Sequence, residues 1–311
     1  MAATVQALQN GPQTCTRLDP YPSRRTSPQT PFPRLDPVVY GGQHDGPLDN
    51  RQLTQYEQDG FLFMPGLFSP SEISMLRNEL NRLDARPDNR ERPEVITEAD
   101  SQSIRSVFAI HRHQSPLGRL CRDPRLLAIA RQLLGSGVYI HQSRINYKPG
   151  FRGREFYWHS DFETWHSEDG MPRMRAVSCS VLFTDNNACN GGLMLIPGSH
   201  HQFIPCQGST PDNNHLSSLQ KQTTGVPDEV TLAHLVETHG IRCPEGPAGS
   251  VLFFECNTLH GSNGNITPQP RSNAFFVYNS IHNRLTSPYA APQPRPGWLA
   301  ERELTTPIVS L

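Results

Sequence analysis

From Val138 onward the chain breaks into short apolar runs rich in β-branched and aromatic residues, separated by Gly, Pro and Asn turns, which specifies a sheet of many short strands. Upstream the spacing is different. Ser69-Pro70-Ser71-Glu72 has the form of a capping box with proline at the first helical position, and Ile73, Leu76, Leu80 and Leu83 follow at helical intervals. Asp123-Pro124 opens a second helix, whose apolar positions Leu126, Leu127, Ile129, Ala130, Leu133 and Leu134 stop at Gly135. A weaker helical signal covers Asp228 to Glu237. Helices first and short strands afterwards predict a mainly β fold with flanking helices: a double-stranded β-helix, or cupin-like jelly-roll barrel, with helices buttressing one face.

A chain of 311 residues fits one β-barrel domain. Residues 1–47 are rich in Pro, Gln, Thr and Gly with sparse apolar positions, so they read as an irregular arm lying over the surface or partly disordered. A single domain is expected over 48–300, with a tail over 301–311. The formal charge is −1, from 28 basic and 29 acidic residues with no basic block, which argues against nucleic acid or an anionic membrane as a partner. Seven cysteines without a C-x-x-C pair, most of them inside apolar runs such as those of Cys179 and Cys256, fit reduced thiols in the cytoplasm. The start, MAATVQALQNGPQ, has no basic region followed by an apolar core, and no run approaches the roughly 18 apolar residues of a membrane span. The expected partner is a small-molecule substrate, with assembly into a homodimer left open.

Within FYWHSDFETWH, residues 156–166, His159 and Asp161 stand two apart. In an extended strand they would share one face and could occupy adjacent positions on one metal ion. A third ligand is available at His260, where the apolar run GSVLFFECNTLHGSN ends in a polar turn. Two imidazoles and one carboxylate on one side of an ion make the facial triad of non-haem Fe(II) oxygenases. An H-x-D pair alone arises often by chance, and an exposed His and Asp in a loop share the spacing. Arg271 opens the next strand, RSNAFFVYNSI, where a guanidinium could grip the far carboxylate of 2-oxoglutarate through paired hydrogen bonds. A solvated strand-end charge is the plainer reading of Arg271. Glu163 could compete with Asp161 for the metal, and the shorter reach of Asp favours Asp161. His111, His113, His141, His200 and His201 form no H-x-D pair and are given no catalytic role.

The run from Arg144 to Arg175, RINYKPGFRGREFYWHSDFETWHSEDGMPRMR, closely resembles the signature of ectoine hydroxylases, a branch of the phytanoyl-CoA dioxygenase superfamily. The resemblance extends through IRSVFAIH (104–111), IHQSR (140–144) and NGGLMLIPGSH (190–200) to the His260 and Arg271 region, and YPSR (21–24) and DPVVY (36–40) look like the family's amino-terminal segment. It implies hydroxylation of ectoine to 5-hydroxyectoine, a protective cytoplasmic solute, with Fe(II), 2-oxoglutarate and O2. It also implies His159, Asp161 and His260 as iron ligands and Asn146, Ser262 and Arg271 as contacts to 2-oxoglutarate. Gln142, Phe156, Thr164, Trp165 and Ser180 would line the pocket of the substrate. Trp165 and Phe156 could equally be core aromatics, although an indole face suits the cationic ring of ectoine. Gln142 and Asn146, four apart, would share one face of a strand. Hydroxylation of another small substrate such as a free amino acid, or a silent metal-binding scaffold, are the alternatives. The intact triad and Arg271 weigh against the scaffold.

Overall fold

The structure, a computed structural model, describes residues 18–84, 91–98 and 103–311, leaving aside the side chains of residues 83 and 84. The side chain of Leu83, expected as an apolar helix position, and residues 1–17, expected to carry no leader, lie outside what is described.

The amino-terminal half runs β1 (Phe32–Pro33), α1 (Asn50–Asp59), β2 (Phe61–Met64), α2 (Pro70–Asp84), β3 (Val95–Thr97), β4 (Ile104–Phe108), α3 (Pro116–Arg119) and α4 (Pro124–Leu134). Then follow β5 (Val138–Lys148), β6 (Phe156–His159), α5 (Asp161–Asp169), β7 (Ala176–Leu182), β8 (Leu193–Leu195) and β9 (Gln202–Phe203). The chain ends with α6 (His215–Ser218), α7 (Glu229–His239), β10 (Val251–Glu255), β11 (His260–Ser262) and β12 (Arg271–Ser280).

Local chemistry explains the helix ends. The Ser69 amide donates to Glu72 at 2.7 Å and the Glu72 amide donates back to Ser69 Oγ at 3.3 Å, the capping box expected for α2. Asp123 caps α4 through the Arg125 amide, and Gly135 closes it at φ 53°. Asp228 caps α7 through the Thr231 amide.

The major sheet has the order β2-β10-β7-β12-β5-β4-β3 and the minor sheet β6-β11-β8, and every pairing between their strands is antiparallel. This is the expected jelly-roll architecture. Alternation along the central strands divides its work. Val177, Cys179 and Val181 of β7, Val251 and Phe253 of β10, and Ala274, Phe276 and Tyr278 of β12 join the apolar faces of α1, α2 and α4 in the main core. The intervening Leu252, Phe254 and Phe275 pack with Leu195 of the minor sheet. In β5 the alternation changes phase: Val277 is opposite Gln142 and Tyr278 opposite Ile140, so His141 is an extra, unpaired residue. This bulge leaves Val138, Ile140 and Ile145 on the helix side and turns Gln142, Arg144 and Asn146 to a cavity.

Two features depart from the sequence reading. Residues 18–47 do not merely lie on the surface: Tyr21, Ser23, Arg24, Asp36 and Val38 are buried, and Tyr21 packs in a second core with Phe162, Trp165 and Phe203. Helix α5 replaces the expected continuation of a strand after His159. Ser160 accepts the Glu163 amide as its cap, and Gly170 ends it at φ 73°. A Cβ at Gly170 would sit 2.3 Å from Thr286 O and 2.4 Å from Ser287 O. Gly170→Ala is therefore expected to cost about 2–5 kcal/mol, the left-handed backbone penalty plus overpacking. Chemical denaturation checks this, and a loss under 1 kcal/mol would mean that this end of α5 is not held as described.

Candidate metal centre and cavity

Strands β6 and β11 are hydrogen-bonded neighbours with His159 opposite His260, which brings the two rings to 4.2 Å between centroids. Asp161 completes the group from the first position of α5. The strand reading of His159 and Asp161 is thus corrected: the Ser160 cap turns the chain into a helix, and the carboxylate arrives from that turn. His159 Nε2 lies 3.7 Å from Asp161 Oδ1, and His260 Nε2 lies 3.9 Å from Asp161 Oδ2. One ligand atom from each of the three lies within 4.8 Å of the others, the only such grouping among the described residues.

Both imidazoles are fixed by their own strand backbone. His159 Nδ1 donates to Tyr157 O at 2.8 Å and His260 Nδ1 to Thr258 O at 2.9 Å, leaving each Nε2 as the lone-pair nitrogen facing Asp161. Ser178 Oγ donates to Asp161 Oδ2 at 3.3 Å. Burial, aided by His260, pushes the His159 imidazole down to about 3, and burial lowers His260 too. Burial alone would raise Asp161, but His260, His159 and Arg144 facing it, with the Ser178 hydroxyl, hold it below its ordinary value. Two neutral imidazoles and one carboxylate are the protonation states that a divalent metal needs, and this nitrogen and oxygen set suits Fe(II). Glu163 does not compete, because Arg24 and Ser23 occupy its carboxylate on the far side of α5.

The triad opens into a cavity between the sheets lined by Gln142, Asn146, Phe156, Thr164, Trp165, Ser262 and Arg271, each of them named from the sequence. Gln142 is anchored by its Nε2 donating to Leu299 O at 2.8 Å, and Asn146 accepts from Ser106 Oγ at 2.9 Å. Phe156 meets the His159 ring edge-on at 4.9 Å. Trp165 belongs both to the second core and to the cavity wall. Ser180 is the exception. It is buried on β7, accepts from Asn273 Nδ2 at 2.7 Å, and is not part of the cavity wall; Ser178, one pleat earlier, is the serine that touches the triad.

Arg271 is buried and donates to Asn186 Oδ1 and Gly191 O, with no carboxylate partner among the described residues; burial brings it down to about 10. Nearby, Lys148 Nζ donates to Arg154 O and Asn263 O, and burial, then Arg271 and Arg105, brings it down to about 7. Sequence reasoning missed Arg144. Its guanidinium donates to Gln142 Oε1 at 2.5 Å and stacks 4.8 Å from the Phe275 ring, also without a carboxylate within ion-pair reach among the described residues. Its position midway between Gln142 and Asn146 on one strand face was the available signal. Three of the other histidines have neighbours away from the triad: His111 bonds Ser143, His141 lies 3.3 Å from Asp169, and His200 bonds Glu57 O.

His200, like His159, is pushed by burial from 6.5 down to about 3, with His201 and Arg34 adding to the shift. A histidine depressed in the folded state takes up a proton on unfolding, so its stability contribution is present above the unfolded value and is lost as pH falls. The metal-free protein should lose stability between about pH 6.5 and 5, by up to roughly 1.4 kcal/mol per pH unit for each of the two. His200→Gln should make that slope shallower. Denaturation midpoints level across this window would contradict the burial of both rings as neutral groups.

The phytanoyl-CoA dioxygenase (PhyH) family model matches residues 56–273. The ectoine dioxygenase of Stutzerimonas stutzeri is 51% identical over 293 residues, covering 94% of this chain and 97% of the relative. That of Bordetella bronchiseptica is 55% identical over 286 residues, covering 92% and 93%. The crystal structure of EctD from S. alaskensis with 2-oxoglutarate and 5-hydroxyectoine superposes with TM-score 0.82 at 50% identity, covering 92% of this chain and 95% of that one. The same protein with bound Fe gives TM-score 0.84 at 48% identity over 94% and 98%. The chain belongs to the phytanoyl-CoA dioxygenase family, among the ectoine dioxygenases.

Proposed function

We propose that this protein hydroxylates ectoine to 5-hydroxyectoine with Fe(II), O2 and 2-oxoglutarate, releasing succinate and carbon dioxide. The relatives' named activity supports the reading, and so does the crystal structure of EctD with 2-oxoglutarate and 5-hydroxyectoine. One observation in this chain carries it. The cavity that holds the triad also holds two guanidinium groups, Arg144 and Arg271, that no described carboxylate meets in an ion pair. Arg271 is buried and Arg144 half-buried; a cation withdrawn from water without a partner is costly, and two carboxylate-bearing small molecules would satisfy both.

Bound Fe(II) supplies the oxidising chemistry for an unactivated carbon once O2 and 2-oxoglutarate are present. The residues divide the remaining work. Arg271, which lines the cavity with Ser262 and Asn146, binds the far carboxylate of 2-oxoglutarate, and the neighbouring Lys148, lowered by burial and then by Arg271 and Arg105, adds to a cationic end that favours a dianion. Arg144, held by Gln142 and lowered by its own burial, binds the carboxylate of ectoine. Trp165 and Phe156 enclose the ring of the substrate, and Thr164 faces it from α5. His159, Asp161 and His260 hold the metal, on a single catalytic domain over 48–300, in a protein whose six described free cysteines suit the cytoplasm. No described helix is long and apolar enough to cross a membrane.

Purified protein given Fe(II), 2-oxoglutarate and ectoine should yield a product heavier by one oxygen. Arg271→Ala should raise the KM for 2-oxoglutarate at least about thirtyfold while sparing that for ectoine, and Arg144→Ala should do the reverse, since losing one partner of a buried charge pair costs about 2–5 kcal/mol. No mass gain would sink the reading, and an inverted pair of KM effects would exchange the two assignments.

A further inference from the structure

Helix α5 carries Asp161, Thr164, Trp165 and, two turns on from Asp161, Glu168 to the cavity side and presents Glu163 on the opposite side; the two acids Glu163 and Glu168 are both gripped by a residue far away in sequence. Arg24 donates through Nε to Glu163 Oε1 at 3.0 Å and through a terminal nitrogen to Glu163 Oε2 at 2.9 Å, a two-pronged fork. Its other terminal nitrogen donates to Glu168 Oε1 at 2.6 Å and to Thr210 Oγ1 at 2.8 Å. The guanidinium is wholly buried, with 0% of its side chain exposed. Ser23 Oγ adds a bond to Glu163 Oε1 at 2.6 Å, and Asp19 reaches His166 at 2.9 Å.

The backbone of Arg24 sits at φ 55°, a region disfavoured for any residue with a Cβ and kept only where the surroundings over-determine it. Here the Arg24 amide donates to Cys206 O at 2.7 Å and the Cys206 amide donates to Ser23 Oγ at 3.0 Å, which locks the turn. The same guanidinium therefore joins three things: the helix that starts with the metal-binding carboxylate, the arm, and the segment that contains Thr210. That segment supplies Asn214, Leu219 and Gln222 to the cavity wall, and Asn214 Nδ2 donates to the same Glu168 oxygen at 2.8 Å.

We infer that Arg24 is a positioning residue of the active site: by holding Glu163, Glu168 and Thr210 together it sets the rotation of α5, and with it the placement of Asp161 and Trp165 against the cavity wall. The inference rests on the reading that the triad holds Fe(II) and the cavity holds ectoine. Helices have no slack at this distance. Glu163 follows Asp161 by two residues and so lies nearly on the opposite face, where a pull on one is a turn of the other. A lysine cannot replace the fork, because its ammonium is a point charge that cannot engage both Glu163 oxygens and Glu168 in the same plane.

The test compares Arg24→Lys and Glu163→Gln with the wild type in three measurements: thermal unfolding of the metal-free protein, anaerobic calorimetric titration with Fe(II), and 5-hydroxyectoine formed per succinate in one reaction. Fe(II) should bind about ten- to a hundredfold more weakly in both variants, the usual effect of losing a group that orients a metal ligand. Product per succinate should fall at least about twofold while the KM for 2-oxoglutarate, set by Arg271, stays within about twofold. If either variant fails to fold, the other decides. Unchanged Fe(II) affinity and unchanged product per succinate in a folded variant would overturn the inference and leave Arg24 a structural anchor alone. A wild type that makes no 5-hydroxyectoine would instead overturn the substrate reading, and the Fe(II) titration would then decide the role of Arg24 by itself.

Discussion

The antiparallel pairing of β6 with β11, in the register that sets His159 opposite His260, is the constraint on which the site depends. A slip of either strand by one residue would send its imidazole to the opposite face from the other. Two features oppose that slip: β8 pairs β11 on its other edge with Leu195 opposite His260, and Lys148 bonds the backbone on both sides of the sheet edge at Arg154 and Asn263. Each histidine then donates its Nδ1 proton to the carbonyl two residues before it, so the strand backbone itself selects the tautomer. No side-chain acid is needed for that purpose, and the one acid at the centre, Asp161, is left free to bind metal.

The rest of the molecule protects this arrangement by separating its two faces. The major sheet spends one face on α1, α2 and α4 and turns the other toward the minor sheet, with aromatic packing at one end and the polar cavity at the other. The bulge at His141 is where the two requirements are reconciled within a single strand. Without it, the residues that pack under the helices at Val138 and Ile140 would share a face with Gln142, Arg144 and Asn146. Helix α5 is held at each end by a cap and along its length by Arg24, whose amino-terminal segment is thus part of the centre's framework.

Much of this was legible in the sequence, for reasons of local chemistry. The caps at Ser69 and Asp123 and the stop at Gly135 announced α2 and α4, because these signals are contained within a few neighbouring residues. The three residues expected to bind metal do converge, although by an arrangement other than strand alternation: a cross-strand pair and a helix start. The signal for α5 was present as Ser160 followed three residues later by Glu163, and as Gly170 after the last turn. The interleaved aromatics hid it, since Phe156, Trp158, Phe162 and Trp165 read as strand. Arg144 was overlooked although it shares a strand face with Gln142 and Asn146, and Arg24 was not assignable in advance because its meaning comes from contacts across more than a hundred residues. Ser180 bonds Asn273 away from the cavity wall while Ser178, one pleat repeat earlier, bonds Asp161, a difference of depth within a sheet that alternation alone does not resolve.

The central claim is that backbone-locked imidazoles at His159 and His260 and the carboxylate of Asp161 hold one iron ion. Anomalous diffraction at the iron edge, from crystals of the protein grown anaerobically with Fe(II) and 2-oxoglutarate, tests it most directly. The account predicts a single strong peak within bonding distance of His159 Nε2, His260 Nε2 and one Asp161 oxygen. A peak coordinated through either Nδ1, a peak on Glu163, or iron bound away from these residues would contradict it.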